Sequence, residues 1–341
     1  MGRVIIQTMK VCEVGEFGLI DILAGLLEKS RDIKRPAWKN LLAGVGDDSA
    51  AWKNASLTTL ATTDCLVQDA HFRLGQTTWQ DLGWKALAVN LSDIAAMGGT
   101  AEYALVTLGL PGDTEVEDVT DLYKGMTDIG NRFGVAVAGG DVTASKILFI
   151  GLTVTGSAGE RLLRRSAAQA GDLIAVTGYP GMAAAGLRLI SQRIAPDAAD
   201  APLRQAFLRP YPRLAEGHAI LAAGGRAAID ISDGLIADLG HICRASRVGA
   251  RIEAGRVPLH PAALEAFPHE ALDMALGGGE DYELLFTASA AAIEAIRAKS
   301  SLPVSVIGEI RPESAGKVQV LDSNGCEYPI ATAGWDHFGT A

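Results

Sequence analysis

Few of the residues that staple or anchor a chain occur in this 341-residue sequence. Its four cysteines, Cys12, Cys65, Cys243 and Cys326, lie far apart and form no CxxC pair. A disulfide framework or a cysteine zinc site is therefore not expected, and a reducing cytoplasm suits the pattern. No apolar run approaches the roughly 18 residues of a membrane-spanning helix. The early patch Val4-Ile5-Ile6 is too short for a signal-peptide core, so export is not expected. Positive charge is scarce as well: 30 Lys and Arg against 40 Asp and Glu give a formal net charge of -10. Nucleic-acid binding needs a basic footprint and is disfavoured. An acidic protein that binds an anion needs a cation between the two. Also missing are the GxxxxGK[ST] loop, the protein-kinase signature set, the GxSxG elbow and the HExxH helix, which argues against P-loop, protein-kinase, serine-hydrolase and zincin chemistry.

What is present is an ordinary globular composition, 48% hydrophobic and 21% charged, long enough for two cored domains. Strand-like runs rich in Val, Ile, Leu and Thr cover 57–64, 104–110, 135–138 and 147–155. Helical patterns cover 81–97 and 116–133. After a polar connection at 161–171 the alternation resumes, with strands at 172–177, 227–231, 283–287, 304–307 and 317–321 and helices at 182–192 and 235–246. The pattern predicts an α/β chain with mixed sheets, divided near 156–170 into domains 1–156 and 157–341. The segment 193–202 mixes Ala, Pro and Asp without periodicity and is expected to be the least ordered.

Six short motifs share one chemistry: Gly46-Asp47-Asp48, Thr62-Thr63-Asp64, Asn90-Leu91-Ser92-Asp93, Gly139-Gly140-Asp141, Asp230-Ile231-Ser232-Asp233-Gly234 and Gly278-Gly279-Glu280-Asp281. Singly, each reads as a turn. Together they place carboxylates at the ends of apolar runs, where open α/β sheets carry their ligand sites. Asp93 sits in a helix apolar nearly all round, so it is expected to be buried, on one face with Asn90. The only cation near it in sequence is Lys85. A buried carboxylate is costly unless paired or metal-bound. Converging aspartates, with Thr62 and Thr63 adding oxygens, suit a hard divalent ion such as Mg²⁺ bridging to ATP phosphates, and the spacing matches no EF-hand. The expectation is a magnesium-dependent enzyme acting on ATP.

In order and spacing these motifs resemble the thiamine-monophosphate kinase family of the aminoimidazole ribonucleotide synthetase-like superfamily. The resemblance also rests on Gly15-Glu16-Phe17, Leu19-Ile20, His71-Phe72, the run from Lys85 to Gly98, Gly171-Asp172 and Asp281-Tyr282-Glu283-Leu284, and spans nearly the whole chain. It implies a two-domain fold of that superfamily, a homodimer formed through the N-terminal domains, and phosphorylation of thiamine phosphate by ATP to thiamine diphosphate. It further implies Mg²⁺ on Asp48, Thr62, Thr63, Asp64, Asp93, Asp141, Asp230 and Asp233, with Asp48, Asp64, Asp93 and Asp233 central to catalysis. ATP would meet Tyr123, Gly140, Asp141, Arg165 and Ser232, and thiamine phosphate His71, Glu280 and Trp335. Read without the resemblance, Arg165 is as readily a solvated linker charge as a phosphate contact, His71 as readily a strand-end residue as a ligand, Glu280 either closes a turn or accepts from a substrate, and Trp335 packs the tail.

The chain departs from the family pattern at Cys65 and Val142, where Thr is usual, and at Gln68-Asp69-Ala70. The alternatives are another ATP-using enzyme of the superfamily, a nucleotide or thiamine phosphate binder without turnover, and a metal-dependent phosphatase. Cys12 and Lys10 lack the glycine-rich context of selenophosphate synthetases. The ending Phe338-Gly339-Thr340-Ala341 lacks the cysteine motif of the hydrogenase-maturation relatives.

Overall fold

A computed structural model describes residues 40–43, 47–53, 58–330 and 334–335. The Gly15–Ile20 motif, Gly46 and Cys12 lie outside the described residues. The chain builds two sheets with helices packed on them.

The first sheet contains β1 (Leu41–Ala43), β2 (Ala50–Lys53), β3 (Thr58–Val67), β4 (Thr100–Leu110), β5 (Ala136–Ala144) and β6 (Phe149–Ala158) in the order β1-β2-β3-β6-β4-β5. Neighbours are antiparallel except β4 and β5, which run parallel. Helix α1 (Trp79–Ala96) packs on this sheet and is capped at its start by Thr78, whose side chain accepts from Asp81 N–H. It is buried nearly all round, as its apolar composition predicted. Helix α2 (Val116–Phe133) crosses it closely: a Cβ on Gly83 would lie 1.8 Å from Leu122 O, and one on Gly125 1.9 Å from Gln80 O. Only glycine permits that approach.

The second sheet contains β7 (Leu173–Thr177), β8 (Ala228–Asp230), β9 (Gly249–Glu253), β10 (Leu284–Ala288), β11 (Val304–Arg311) and β12 (Val318–Leu321) in the order β12-β9-β11-β7-β10-β8. All its pairings are antiparallel except β9 with β12. Helices α3 (Met182–Ser191), α4 (Ala201–Leu208), α5 (Leu214–Ala222), α6 (Leu235–Ser246), α7 (Pro261–Ala266), α8 (Ala271–Gly277) and α9 (Ala290–Arg297) complete it. Helix α5 docks the second half onto the first, with Gly217 so close to α1 that a Cβ would lie 2.1 Å from Ala95 O.

Two expectations change. The span expected to be least ordered runs into α4: Pro202 sits in its first turn, where its fixed φ suits a helix, and Leu203 and Phe207, four apart, are both buried. Gly139-Gly140-Asp141 does not end a strand but lies inside edge strand β5. A register shift falls beside Gly139, and a Cβ on Gly140 would meet Val106 O at 1.8 Å. Helices α5 and α7 to α9 and strands β1, β2 and β9 were not foreseen, because the strands are short and the helices' apolar positions are few or evenly spread.

Candidate active site

The pleat of β3 sorts its polar residues. Successive side chains alternate, so Thr62 and Asp64 share a face and Thr63 points the other way. Thr62 donates to Asp93 Oδ2 at 2.5 Å, whereas Thr63 donates to Leu152 O at 2.8 Å. Asn90 locks β3 onto α1: its Oδ1 accepts from Asp64 N–H at 3.1 Å and its Nδ2 donates to Ala86 O at 3.1 Å. One helical turn on, Asp93 faces both β3 and the end of β8.

Carboxylate oxygens of Asp48, Asp93 and Asp230 all lie within 4.8 Å of one another. Burial, then the charges of Asp64, Asp230 and Asp48, push the Asp93 carboxyl well above the usual range. Burial and the charge of Asp48 do the same to Asp230. Asp64, open to the cavity, is raised by desolvation among its neighbours and by Asp48, against a hydrogen bond from Asp93. Among the described residues one basic group enters this cluster: Arg165 grips Asp48 with two donors, Nε at 3.0 Å and a terminal nitrogen at 2.8 Å. Burial opposes the guanidinium charge, but Asp48 and its neighbours outweigh burial and hold it protonated. Asp47 Oδ1 accepts from Arg165 N–H at 2.9 Å, and Ser246 donates to Arg165 O at 2.7 Å. Of the two readings of Arg165, the solvated linker charge does not hold, since the guanidinium is largely buried against Asp48.

The turn after β8 is shaped by Asp238, which sequence reasoning missed. Its Oδ2 accepts from the N–H groups of Ser232, Asp233 and Gly234, each at 3.1 Å. The signal for it was an acid in the first turn of a helix entered through Gly234. Asp233, Asp238 and His241 also lie within 4.8 Å of one another.

The opposite wall is the loop 278–283. Glu280 and Tyr282 adopt left-handed φ values of 68° and 53°, which non-glycine residues hold only where the surroundings impose them. Glu280 N–H donates to Ser232 O at 2.7 Å and Tyr282 N–H to Ile231 O at 2.9 Å. Between them Asp281 caps α3 by accepting from Gly181 N–H at 2.6 Å and Ala183 N–H at 3.0 Å.

These walls enclose a cavity of about 480 Å³. Asp64, Asp93, Asp230, Ser232 and Asp233 line it together with His71, Glu280 and Trp335, while Leu66, Phe72, Val89, Leu187, Phe207 and Tyr282 give it an apolar side. His71 Nδ1 accepts from Val67 N–H at 3.1 Å, closing the turn that carries it. The Trp335 backbone N–H donates to Asp233 O at 2.9 Å, yet the residue remains 58% exposed at the cavity rim. Asp48, itself a member of the acid cluster, and Thr62, which donates to Asp93, are buried and do not line the cavity. The structure does not bring Thr63, Tyr123, Gly140 or Asp141 to this cavity. Asp141 pairs with Thr107, Thr107 with Gly151, and Gly151 with Cys65, so β5 lies three strand spacings, about 14 Å, from β3. Tyr123 lies on α2, half-buried against the first core, and burial raises its hydroxyl pKa.

The donor set fits a hard divalent cation. It is all oxygen, from carboxylates and a threonine hydroxyl, and its acids repel one another. The Ser92 hydroxyl, beside Asp230, and the Ser49 hydroxyl, next to Asp48, are buried without hydrogen-bond partners of ordinary geometry.

Comparison with known proteins agrees along the chain. Residues 46–158 match AIR synthase related protein, N-terminal domain, and residues 169–321 match its C-terminal domain. The thiamine-monophosphate kinase of Escherichia coli strain K12 is 38% identical over 335 residues, covering 96% of this chain and 99% of that protein. A solved structure described as AaThiL complexed with AMPPCP and TMP superposes with a TM-score of 0.83 at 32% identity, over 97% of this chain and 99% of that one. Thiamine-monophosphate kinase from Stenotrophomonas maltophilia K279a gives a TM-score of 0.74 at 36% identity, over 89% and 96% of the two chains.

Proposed function

From its membership in the AIR synthase related family, and among the thiamine-monophosphate kinases within it, to which this chain belongs, we infer that it transfers the γ-phosphoryl group of ATP to thiamine monophosphate, yielding thiamine diphosphate and ADP. The observation that carries this reading is the cavity, where an acid cluster adjoins an apolar wall. Such a site suits a substrate with a phosphate at one end and aromatic rings at the other.

The acceptor is itself a phosphate monoester with a second pKa near ~6, so it is largely dianionic at pH 7 and attacks without a general base. The enzyme's work is to align two anions and offset the charge of the moving phosphoryl group. Mg²⁺, when bound, supplies Lewis acidity and a template for the phosphates. Asp48, Asp64, Asp93, Asp230 and Asp233, with Thr62, would hold it. Arg165 and Ser232 stand beside this cluster and would serve the nucleotide. On the organic side, His71, Glu280 and Trp335 would orient thiamine monophosphate, the exposed indole stacking on a cationic thiazolium. Holding the reactants in line can itself lower the barrier by several kcal/mol.

Of the remaining nucleotide and metal residues, Gly140 and Asp141 would serve a region at β5, Tyr123 a position on α2, and Thr63 the face of β3 turned away from the cavity. The same reading carries a homodimer through the N-terminal domains. The exposed Tyr103 and Leu105, two apart on one face of β4, support it, since exposed apolar neighbours of this kind are usually covered. No helix among the described residues is long and apolar enough to cross a membrane. Cys65, Cys243 and Cys326 carry free thiols, which suits the cytoplasm.

The test is a direct assay with ATP, Mg²⁺ and thiamine monophosphate, the thiamine species being separated by chromatography, with EDTA and free-thiamine controls. Thiamine diphosphate forming only with metal and only from the monophosphate is the expected result. Its absence, from folded protein that binds Mg-ATP, would overturn the acceptor.

A further inference from the structure

Lys85 is a lysine in the wrong place for solubility. It lies in α1 among Trp84, Ala86 and Leu87, and its side chain is only 5% exposed. Its ammonium lies 3.8 Å from the centroid of the Phe207 ring on α4 and 2.7 Å from Glu280 Oε1 across the domain boundary. The geometry of that ion pair departs from an ordinary hydrogen bond, and the ammonium has no other polar partner among the described residues. A desolvated ammonium is costly unless it is paired.

Glu280 is where the charge goes. Its backbone is already fixed by the hydrogen bond to Ser232 O and by the neighbouring Asp281 cap on α3. Lys85 fixes what remains, the carboxylate. The cavity also contains Asp64, Asp93, Asp230 and Asp233. A bare Glu280 would add a further negative group to these and to Asp69, which also lines the cavity, and compete for the metal. Paired with Lys85 it is neutral overall, and its free lone pairs accept hydrogen bonds.

Resting on the reading that Glu280 contacts thiamine monophosphate, we propose that Lys85 is a positioning residue that makes Glu280 an aimed acceptor for the substrate's exocyclic amino group, rather than a counter-ion for its thiazolium or a metal ligand. Lys85 thereby separates the metal side of the cavity from the organic side and sets ring specificity.

Steady-state kinetics of Lys85→Met, Glu280→Gln and the double variant test this, with thiamine monophosphate, ATP and oxythiamine phosphate, in which an oxo group replaces the amino group. The wild type should prefer the amino substrate by about tenfold or more, because an aimed acceptor is left unpaired by the analogue. Lys85→Met should raise KM for thiamine monophosphate about tenfold, erase that preference, and leave KM for ATP within about twofold. The double variant should be no worse than Glu280→Gln alone, since Lys85 then has nothing to aim. This comparison also serves if Lys85→Met by itself does not fold, because the double variant removes both charges. If Glu280→Gln leaves KM for thiamine monophosphate unchanged, the substrate contact fails and the proposal with it. If Glu280→Gln raises that KM but Lys85→Met does not, only the positioning role fails. Equal rises in both KM values, or an added loss in the double variant, would make Lys85 a structural residue and overturn the proposal.

Discussion

Asp230 and Glu283 are buried alike, 3% and 5% exposed, on neighbouring chain segments: Asp230 pairs with Leu284, the residue after Glu283. Their surroundings are opposite. Glu283 receives two donors from Arg213, at 2.8 and 2.5 Å, and one from Thr177 at 2.6 Å. Asp230 faces Asp48 and Asp93, with no cation in direct contact among the described residues, and its carboxyl is raised well above its usual range. A saturated buried acid belongs to the fold. One left among like charges is held for a ligand, because the stability it forgoes returns when the cation binds.

The comparison breaks first at Asp93→Asn. Turnover should fall about 10³- to 10⁵-fold, some 4–7 kcal/mol of transition-state stabilisation, while the metal-free melting temperature holds or rises. Rate assays beside calorimetry check both halves, and an equal loss of metal-free stability would erase the contrast. Arg213→Met should show the reverse. It leaves Glu283 uncompensated and should lower stability by about 3–5 kcal/mol in urea titration, with Mg²⁺ dependence unchanged in the folded fraction. Next in size, Mg²⁺ at a hundredfold excess over its Kd should stabilise the wild type by about 2.7 kcal/mol. That increment should disappear in Asp230→Asn and persist in Arg213→Met. Smallest, Trp335→Ala should weaken thiamine monophosphate binding by about 1–2 kcal/mol and leave ATP binding alone, as isothermal titration can measure. Equal losses for both ligands would return the indole to a packing role.

Much of the fold was legible because it rests on local patterns. The bounds predicted for the helices at 116–133 and 235–246 are those observed, since apolar periodicity is joined by a flanking glycine, Gly134 after the first and Gly234 before the second. The acid motifs could be read as a set, and eight of the proposed site residues do line one cavity. Asp238 escaped notice because a single acid in a helix's first turn is ordinary. The opposed facing of Thr62 and Thr63 was implicit in strand alternation but needed the strand's neighbours to say which face mattered. The distance of Asp141 from β3 followed from strand order, which puts β6 and β4 between them.

By itself the sequence determined the class of chain, most of its elements, the family it belongs to and the inventory of acids available for a cation. These follow from periodicity, turn chemistry and motif order, all of which are properties along one dimension. Only the tertiary structure decided which acids are neutralised. Arg165 reaches Asp48 across 117 positions and Arg213 reaches Glu283 across 70, while Lys85 finds Glu280 from another domain. Charge compensation depends on distance through space and on exclusion of water, and neither leaves a period in the sequence.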